Sequence, residues 1–387
     1  MSKTIDKAFD AAISGGVFPA AEVLAAKNGE VLYTASYGLA RKNTCFDIAS
    51  LTKPMVTATL AMMLDAEGLI KLEDTVYQWL PSAKQPAHRN ITIRQLLNHT
   101  SGLPAWQPYY RTLPMSLVGT EAGREMLLDE CKNEPPVAEP GKKTMYSDIG
   151  YILLGDIIEH AGEALLDEQF SKRVAKPLNL DDTFFVRVTE TASLATRRRT
   201  KTQADQHVPA PKHGLPGERV ARKEGEHRRF APTEDCPWRE RVMHGQVHDQ
   251  NAFALGGVAG HAGLFSTADD IHRFMFELTR SYQGKSDWIP KSTVQEFLKT
   301  MKSKPEGDAY VLGWSVPSKE ISASGHHFSA NSIGHLAYTG CSIWADLSQD
   351  FWIILLTNRI HPSTTNEKIK AFRPMIHDLI YDELIKR

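Results

Sequence analysis

Ser50 stands three residues ahead of Lys53 in Ser50-Leu51-Thr52-Lys53, and Tyr146-Ser147-Asp148 follows much later in the chain. Residues three apart on a helix are neighbours, so this spelling puts a hydroxyl nucleophile and an amine on one face. A tyrosine brought to the same pair adds a phenol that gives or takes a proton. Together they can perform acyl transfer: the serine oxygen attacks a carbonyl, a base takes its proton, and an acid protonates the leaving group. Free lysine and tyrosine both titrate near pH 10, so each must be shifted or coupled to the other to act at neutral pH. Which of the two holds the proton at rest is open at this level. Taken alone, Ser-x-x-Lys is a weak signal, because an N-cap serine with a solvated lysine has the same spelling. The surrounding sequence has to discriminate.

Elements that would hold these residues are legible in the hydrophobic pattern. An amphipathic helix is expected at about 3 to 14. Strands are expected at Ala20 to Lys27 and Glu30 to Tyr37, joined by Asn28-Gly29, the strongest short hairpin signal. From Ser50 to Glu67 the residues are apolar nearly all round, with Pro54 in the first turn and Gly68 suited to the C-terminal cap, which reads as a buried helix. Residues 75 to 190 read as helix-rich, clearest at Ile91 to Asn98 and Gly150 to His160. Between about Arg197 and Arg241 the composition turns to Arg, Lys, His, Pro and Gly, which reads as a long irregular surface excursion. The glycine run Gly256 to Gly263 suits a close-packed backbone passage, and a helix begins near Thr267. Strand-like runs follow at Tyr310 to Val316, His335 to Ala345 and Phe351 to Thr357, then a last helix at about 366 to 385.

Helix, strands, a long helical stretch, then strands and a final helix predict an α/β (α+β) fold. One antiparallel sheet is built from both chain ends, residues 1–74 and 255–387, and flanked by helices. Residues 75–254 form a mainly helical domain carrying the basic excursion, and a cleft between the two would hold the site.

The 387-residue chain is long enough for a large core, with 42% hydrophobic and 24% charged residues. Its 45 basic and 46 acidic residues leave a net charge of -1, which gives no reason to expect nucleic acid or an anionic membrane as partner. Cys45, Cys131, Cys236 and Cys341 are far apart and read as reduced structural thiols. No apolar stretch of about 18 residues occurs, and the first residues lack a secretion pattern, so a cytoplasmic location is expected. His244 and His248, four apart with Asp249 adjacent, have the spacing of a metal-binding helix face but lack a glutamate beside the first histidine. No metal is expected there.

The context of the serine carries a family resemblance. Phe46-Asp47-Ile48-Ala49-Ser50-Leu51-Thr52-Lys53 resembles the nucleophile segment of the serine β-lactamases and penicillin-binding proteins. It is nearest the class C-like branch, which includes D-amino-acid peptidases and carboxylesterases. Ile91 to Pro104, containing Asn98-His99-Thr100-Ser101-Gly102, is similar to a characteristic segment of that branch, and Tyr146-Ser147-Asp148 to its second catalytic box. Gly263 to Asp270 and Gly334 to Gly340 are similar to later segments, so the resemblance spans most of the chain outside the basic excursion.

The resemblance implies a β-lactamase/transpeptidase-like fold and a metal-independent, cofactor-free serine hydrolase working through an acyl-enzyme. Ser50 would be the nucleophile, and Lys53 with Tyr146 the base and acid. The backbone N–H groups of Ser50 and Tyr338 would hold the oxyanion. His335, Asp148 and Ala337 would meet a small-molecule ester, peptide or lactam. Departures bear on which of these. Relatives carry Tyr-x-Asn where this chain has Asp148, and a carboxylate only accepts hydrogen bonds and repels anions. Capping the following helix is the other role open to Asp148. The third box, Lys-Thr-Gly in β-lactamases, is His335-Leu336-Ala337 here. Histidine offers little fixed charge at pH 7, and Ala337 adds a methyl where substrate would lie. These departures favour an esterase-type enzyme over a β-lactamase or a D-Ala-D-Ala carboxypeptidase-like peptidase. A penicillin-recognising protein that acylates without turnover is the further alternative.

Overall fold

The computed structural model describes residues 2–83, 85–188, 228–299, 310–318 and 322–386. Strands β1 (Ala20–Lys27) and β2 (Glu30–Gly38) form the expected hairpin, with Asn28 and Gly29 left-handed at φ 52° and 81°, as a two-residue Asn-Gly turn requires. The remaining strands are β3 (Thr44–Asp47), β4 (Phe184–Phe185), β5 (Arg229–Phe230), β6 (Pro232–Cys236), β7 (Arg241–His244), β8 (Leu264–Ser266), β9 (Tyr310–Val311), β10 (Trp314–Ser315), β11 (Ser332–Leu336), β12 (Ser342–Asp346) and β13 (Phe351–Thr357). The main sheet runs β2-β1-β13-β12-β11-β10-β9 with every neighbour antiparallel, so the chain's two ends do build it. A smaller sheet, β4-β8-β3-β5, sets Asp47 opposite Phe265.

The larger helices are α1 (Lys3–Ser14), α2 (Thr59–Ala66), α3 (Glu121–Asn133), α4 (Asp148–Gly162), α5 (Ala268–Gln283) and α6 (Ile369–Leu384). Strand β13 shows why its sequence is apolar without alternation. Phe351, Ile353 and Leu355 pack with Phe9 of α1 and Phe372 and Ile376 of α6, whereas Trp352, Ile354 and Leu356 join the opposite core with Leu24 and Phe274. Each strand residue is therefore buried on one face or the other. No helix among the described residues is long and apolar enough to cross a membrane.

Three expectations are corrected. Ser50 to Glu67 is not one regular helix: a tight turn at Ala49–Leu51 leads into a wide-pitched segment, Lys53–Ala58, before α2 begins. The wide turn lies where Thr57 donates through Oγ1 to the Gly260 carbonyl at 2.6 Å. Gly260 is forced by that packing, since a Cβ there would stand 2.2 Å from the Tyr151 carbonyl oxygen. His335 to Ala345 is two strands, β11 and β12, reversed through Ala337 to Gly340, where Gly340 takes φ 95°. The basic excursion lies outside the described residues up to 227, but its end is ordered: β6 and β7 pair as a hairpin. Arg239 within it is buried, bonded to Glu234 and to the carbonyls of Val247 and His248, so its charge is internal and paired instead of solvated, whereas Arg229 is exposed.

Candidate active site

Ser50 is half-buried in the turn that follows β3. Ala49, just before it, is left-handed at φ 45°, a conformation costing about 1–2 kcal/mol for a residue with a Cβ. The turn is held by Asp47, whose Oδ1 accepts the Ala49 N–H at 2.9 Å, and by Thr52, whose hydroxyl donates to the Ala49 carbonyl at 2.6 Å. These bonds offset the strain and point Ser50 toward the next turn.

Lys53 is fully buried there, and its Nζ donates to Ser50 Oγ at 3.1 Å, Asp148 Oδ1 at 2.7 Å and the His261 carbonyl at 3.0 Å. An ammonium has three donors and no acceptor, so all three are committed. Tyr146 shares the site: the Lys53 Nζ lies 4.8 Å from its ring centroid, and Ser50 is near enough to act on its phenol. Burial, followed by the neighbouring Asp148 carboxylate, raises the Tyr146 phenol well above the ordinary tyrosine range, against the opposing effect of Ser50. At neutral pH the phenol therefore keeps its proton.

Two segments far apart in sequence set Tyr146. Ser147 caps α4 by accepting the Gly150 N–H at 3.1 Å and donates to the Pro104 carbonyl at 2.6 Å. Met145 N–H donates to the His99 carbonyl and Asp148 N–H to the Ala105 carbonyl. The cap is thus Ser147. The Asp148 carboxylate instead pairs with Lys53, a role the sequence did not suggest. His99, left-handed at φ 56°, accepts the Ser147 N–H on Nδ1 and packs its ring 4.4 Å from that of Tyr146.

On the other side, His335 is buried on β11. Its Nδ1–H donates to the Leu336 carbonyl at 2.8 Å, its Nε2 has no partner among the described residues, and its ring lies 6.0 Å from that of Tyr146. Burial, then the Lys53 charge, pushes the imidazole down to about 3, so it is uncharged. The Ala337 N–H pairs with the Cys341 carbonyl, and its methyl is packed in the main core. Tyr338 lies between them and the turn at Gly340, its ring half exposed.

A family description named Beta-lactamase matches residues 5–373. The chain belongs to the beta-lactamase family. Curated relatives include a protein of Salmonella agona (strain SL483) named "Putative D-alanyl-D-alanine carboxypeptidase", 28% identical over 91% of this chain and 81% of its own length. Among solved structures, "EstCE1, a hydrolase with promiscuous acyltransferase activity" superposes with TM-score 0.70 at 21% identity over 98% of both chains. A class C beta lactamase superposes with TM-score 0.66 at 15% identity over 97% of each, and the octameric penicillin-binding protein homologue from Pyrococcus abyssi with TM-score 0.68 at 17% over 98% of this chain and 77% of that one.

Beyond the expected set, this beta-lactamase-family chain brings further side chains to the site that sequence reasoning passed over. His261 not only presents its carbonyl to Lys53 but is itself bonded through Nε2 to Asp249 at 2.9 Å. Burial would raise Asp249, yet the His261 imidazole beside it brings its carboxyl below the usual range. Of His99, His261 and Asp249, His99 carried a signal by lying inside the recognised Asn98-His99-Thr100-Ser101-Gly102 segment, and Asp249 was noticed only as the neighbour of His248. His244 and His248 do not share a helix face. His244 lies on β7 with Nε2 against the Phe230 carbonyl, and His248 lies beyond it against Asp47.

The buried imidazoles predict an acid-labile fold. Burial holds His99, His335 and His377 below the ordinary histidine range, aided by Lys53 for the first two and Arg373 for the third. Depressed in the folded state, each contributes stability that is present above pH about 6.5 and lost as pH falls, at about 1.4 kcal/mol per pH unit per imidazole. Burial also pushes Glu22 up to about 8 and Asp270 to about 6, which act in the opposite sense but on fewer groups. The urea midpoint is expected to drop between pH 6.5 and pH 4.5. A flat midpoint across that window would contradict the assignment.

Proposed function

We propose that the chain is a serine hydrolase preferring uncharged carboxylic esters, and that it works through an acyl-enzyme on Ser50. One observation carries the preference: neither basic side chain beside the nucleophile is available to a substrate carboxylate. Lys53 is committed to Asp148, and His335 is uncharged. A lactam or peptide carboxylate would therefore meet a neutral ion pair.

The same bonds support a proton path. Lys53 donates to Ser50 Oγ, so it takes the serine proton only while passing one of its own to Asp148. Ser50 attacks the carbonyl as Asp148 becomes the acid, and Lys53 remains an ammonium throughout. The oxyanion forms against the Ser50 and Tyr338 N–H groups. Tyr146, a phenol at rest, protonates the departing alkoxide and regains a proton from Asp148 through Lys53. One proton has then moved from serine to alcohol, leaving the acyl-enzyme, and water reverses the sequence.

The name given to the Salmonella relatives supports a second reading, a carboxypeptidase on D-alanyl-D-alanine peptides. A panel of p-nitrophenyl butyrate, nitrocefin and a D-Ala-D-Ala peptide, followed by intact-mass detection on wild type and Ser50→Ala, separates the two. Steady ester turnover with weak lactam and peptide turnover, and an adduct absent from Ser50→Ala, is the expected result. Faster peptide release would replace the ester reading with the second one. An ester burst without continued release would make the protein a trapped acyl-enzyme, and ester hydrolysis surviving in Ser50→Ala would end both readings.

A further inference from the structure

His248 is unused by the mechanism above, yet it joins the two places where that mechanism needs backbone donors. Its N–H and Nδ1–H both donate to Asp47 Oδ2, at 2.8 and 3.1 Å. The other oxygen of the same carboxylate holds Ala49 in its left-handed conformation, one residue before Ser50. On its other side the imidazole stacks on the Tyr338 ring, centroids 5.7 Å apart and planes 8° from parallel. The Arg359 guanidinium lies 4.7 Å from that ring centroid, and its Nε donates to the Tyr338 carbonyl at 2.7 Å. The nucleophile turn and the Tyr338 loop come from opposite ends of the chain and meet through this imidazole and through Cys341, whose Sγ lies 3.9 Å from the Asp47 carbonyl oxygen.

We propose that His248 is a positioning residue that locks the Ser50 turn to the Tyr338 loop, fixing the separation of the two N–H groups that receive the oxyanion. The proposal rests on the reading that those two amides hold the oxyanion. Several features fit a positional role. His248 is buried, and so is Asp47, the carboxylate it bonds. Burial alone would lower the imidazole, but Asp47, with Glu234 and Asp249 in the same sense, outweighs it and raises the group, strengthening the bond to Asp47. The neighbouring residue, Asp249, supports the opposite side of the nucleophile through His261 and Lys53. Two consecutive residues thus brace both flanks of Ser50. Misplacing a donor by about 1 Å costs on the order of 10²-fold in rate, because the oxyanion forms only in the transition state.

The test compares His248→Phe, which keeps a ring over Tyr338 and the backbone bond to Asp47 but loses the side-chain one, with His248→Asn, whose side-chain N–H can occupy the Nδ1 position. Phenylboronic acid, which forms a tetrahedral adduct on an active serine, serves as the oxyanion probe. His248→Phe is expected to lower kcat for p-nitrophenyl butyrate by about 10–100-fold with KM nearly unchanged, and to weaken the boronic acid in proportion. His248→Asn is expected to recover most of both. Wild-type kcat and boronic acid affinity in His248→Phe would overturn the proposal, as would a rise in KM alone. Should His248→Phe fail to fold, His248→Asn decides: near-wild-type kcat and boronic acid affinity support the lock, and losses as deep as those of His248→Ala overturn it. Absence of any adduct on wild-type Ser50 is a different outcome, removing the hydrolase reading on which the proposal rests.

Discussion

Asp148→Asn should lower p-nitrophenyl butyrate acylation by about 10²–10³-fold while nitrocefin acylation falls less or rises, so that the lactam-to-ester ratio climbs steeply. The first part follows from the Lys53 bonding. With three donors placed on Ser50, Asp148 and the His261 carbonyl, the ammonium has no lone pair for the serine proton unless it hands one on. The carboxylate is the anionic acceptor in that set, the one that can receive the proton as the bond forms, and a positioned general base contributes about 10²–10⁴-fold. An amide accepts a hydrogen bond but does not take the proton. The second part follows from charge. Without the carboxylate, the Lys53 ammonium faces the site uncompensated, and an anionic substrate gains an attraction where it had met a neutral ion pair. The volume is unchanged, so packing around Tyr146 and Tyr151 should persist. Stopped-flow acylation with both substrates, repeated across pH, measures the ratio. Equal losses for both, or wild-type ester acylation, would show that Asp148 neither takes the proton nor screens the lysine.

The role of Asp148 also marks where reading the chain stops being sufficient. Strands β1, β2 and β13 and helices α1 and α5 announce themselves in residue order: β1 and β13 as runs buried along their length, the helices by helical periodicity, and both by chemically specific turns and caps, Asn28-Gly29 between strands and Thr267 before α5. Ser50, Lys53 and Tyr146 are legible because Ser-x-x-Lys and Tyr-x-Asp each sit inside a longer recognisable segment. Partners are another matter. The Asp148 carboxylate has a cap position and a cleft available on sequence grounds, and only the folded chain shows that Ser147 takes the cap and leaves Asp148 to Lys53, 95 residues away. His244 and His248, with Asp249 adjacent, have a metal-like spacing only if counted along a helix, whereas His244 lies on β7 and His248 and Asp249 turn to different sides, toward Asp47 and His261. The end of the basic segment misleads for a similar reason: arginine reads as surface until its acceptors are known, and those of Arg239 are internal carbonyls and Glu234. Periodicity encodes which face is buried, but long-range polar pairing leaves no local trace.

Lys53→Met is expected to abolish ester acylation and to destabilise the fold by about 1–3 kcal/mol, and adding Asp148→Asn should return stability without activity. Burying a charge is tolerable only when it is paired, and removing one partner of a buried pair costs about 3–5 kcal/mol when the other is left in the dark. Here the lysine side chain is fully buried but that of Asp148 is 20% exposed, so the orphaned carboxylate reaches water and the cost falls toward the lower end. Methionine matches the lysine stem in length and packs against the Tyr146 and Tyr151 rings that Nζ faces, at 4.8 and 5.6 Å from their centroids. What methionine cannot do is carry a proton from Ser50 Oγ to Asp148 Oδ1. Neutralising the carboxylate in the double variant removes the unpaired charge and leaves the relay missing. Urea denaturation of both variants, read beside p-nitrophenyl release, separates the two contributions: a double variant that regains stability and stays inactive assigns Lys53 to proton transfer. Activity returning along with stability would mean that the lysine serves the fold alone, and that the serine finds its base elsewhere.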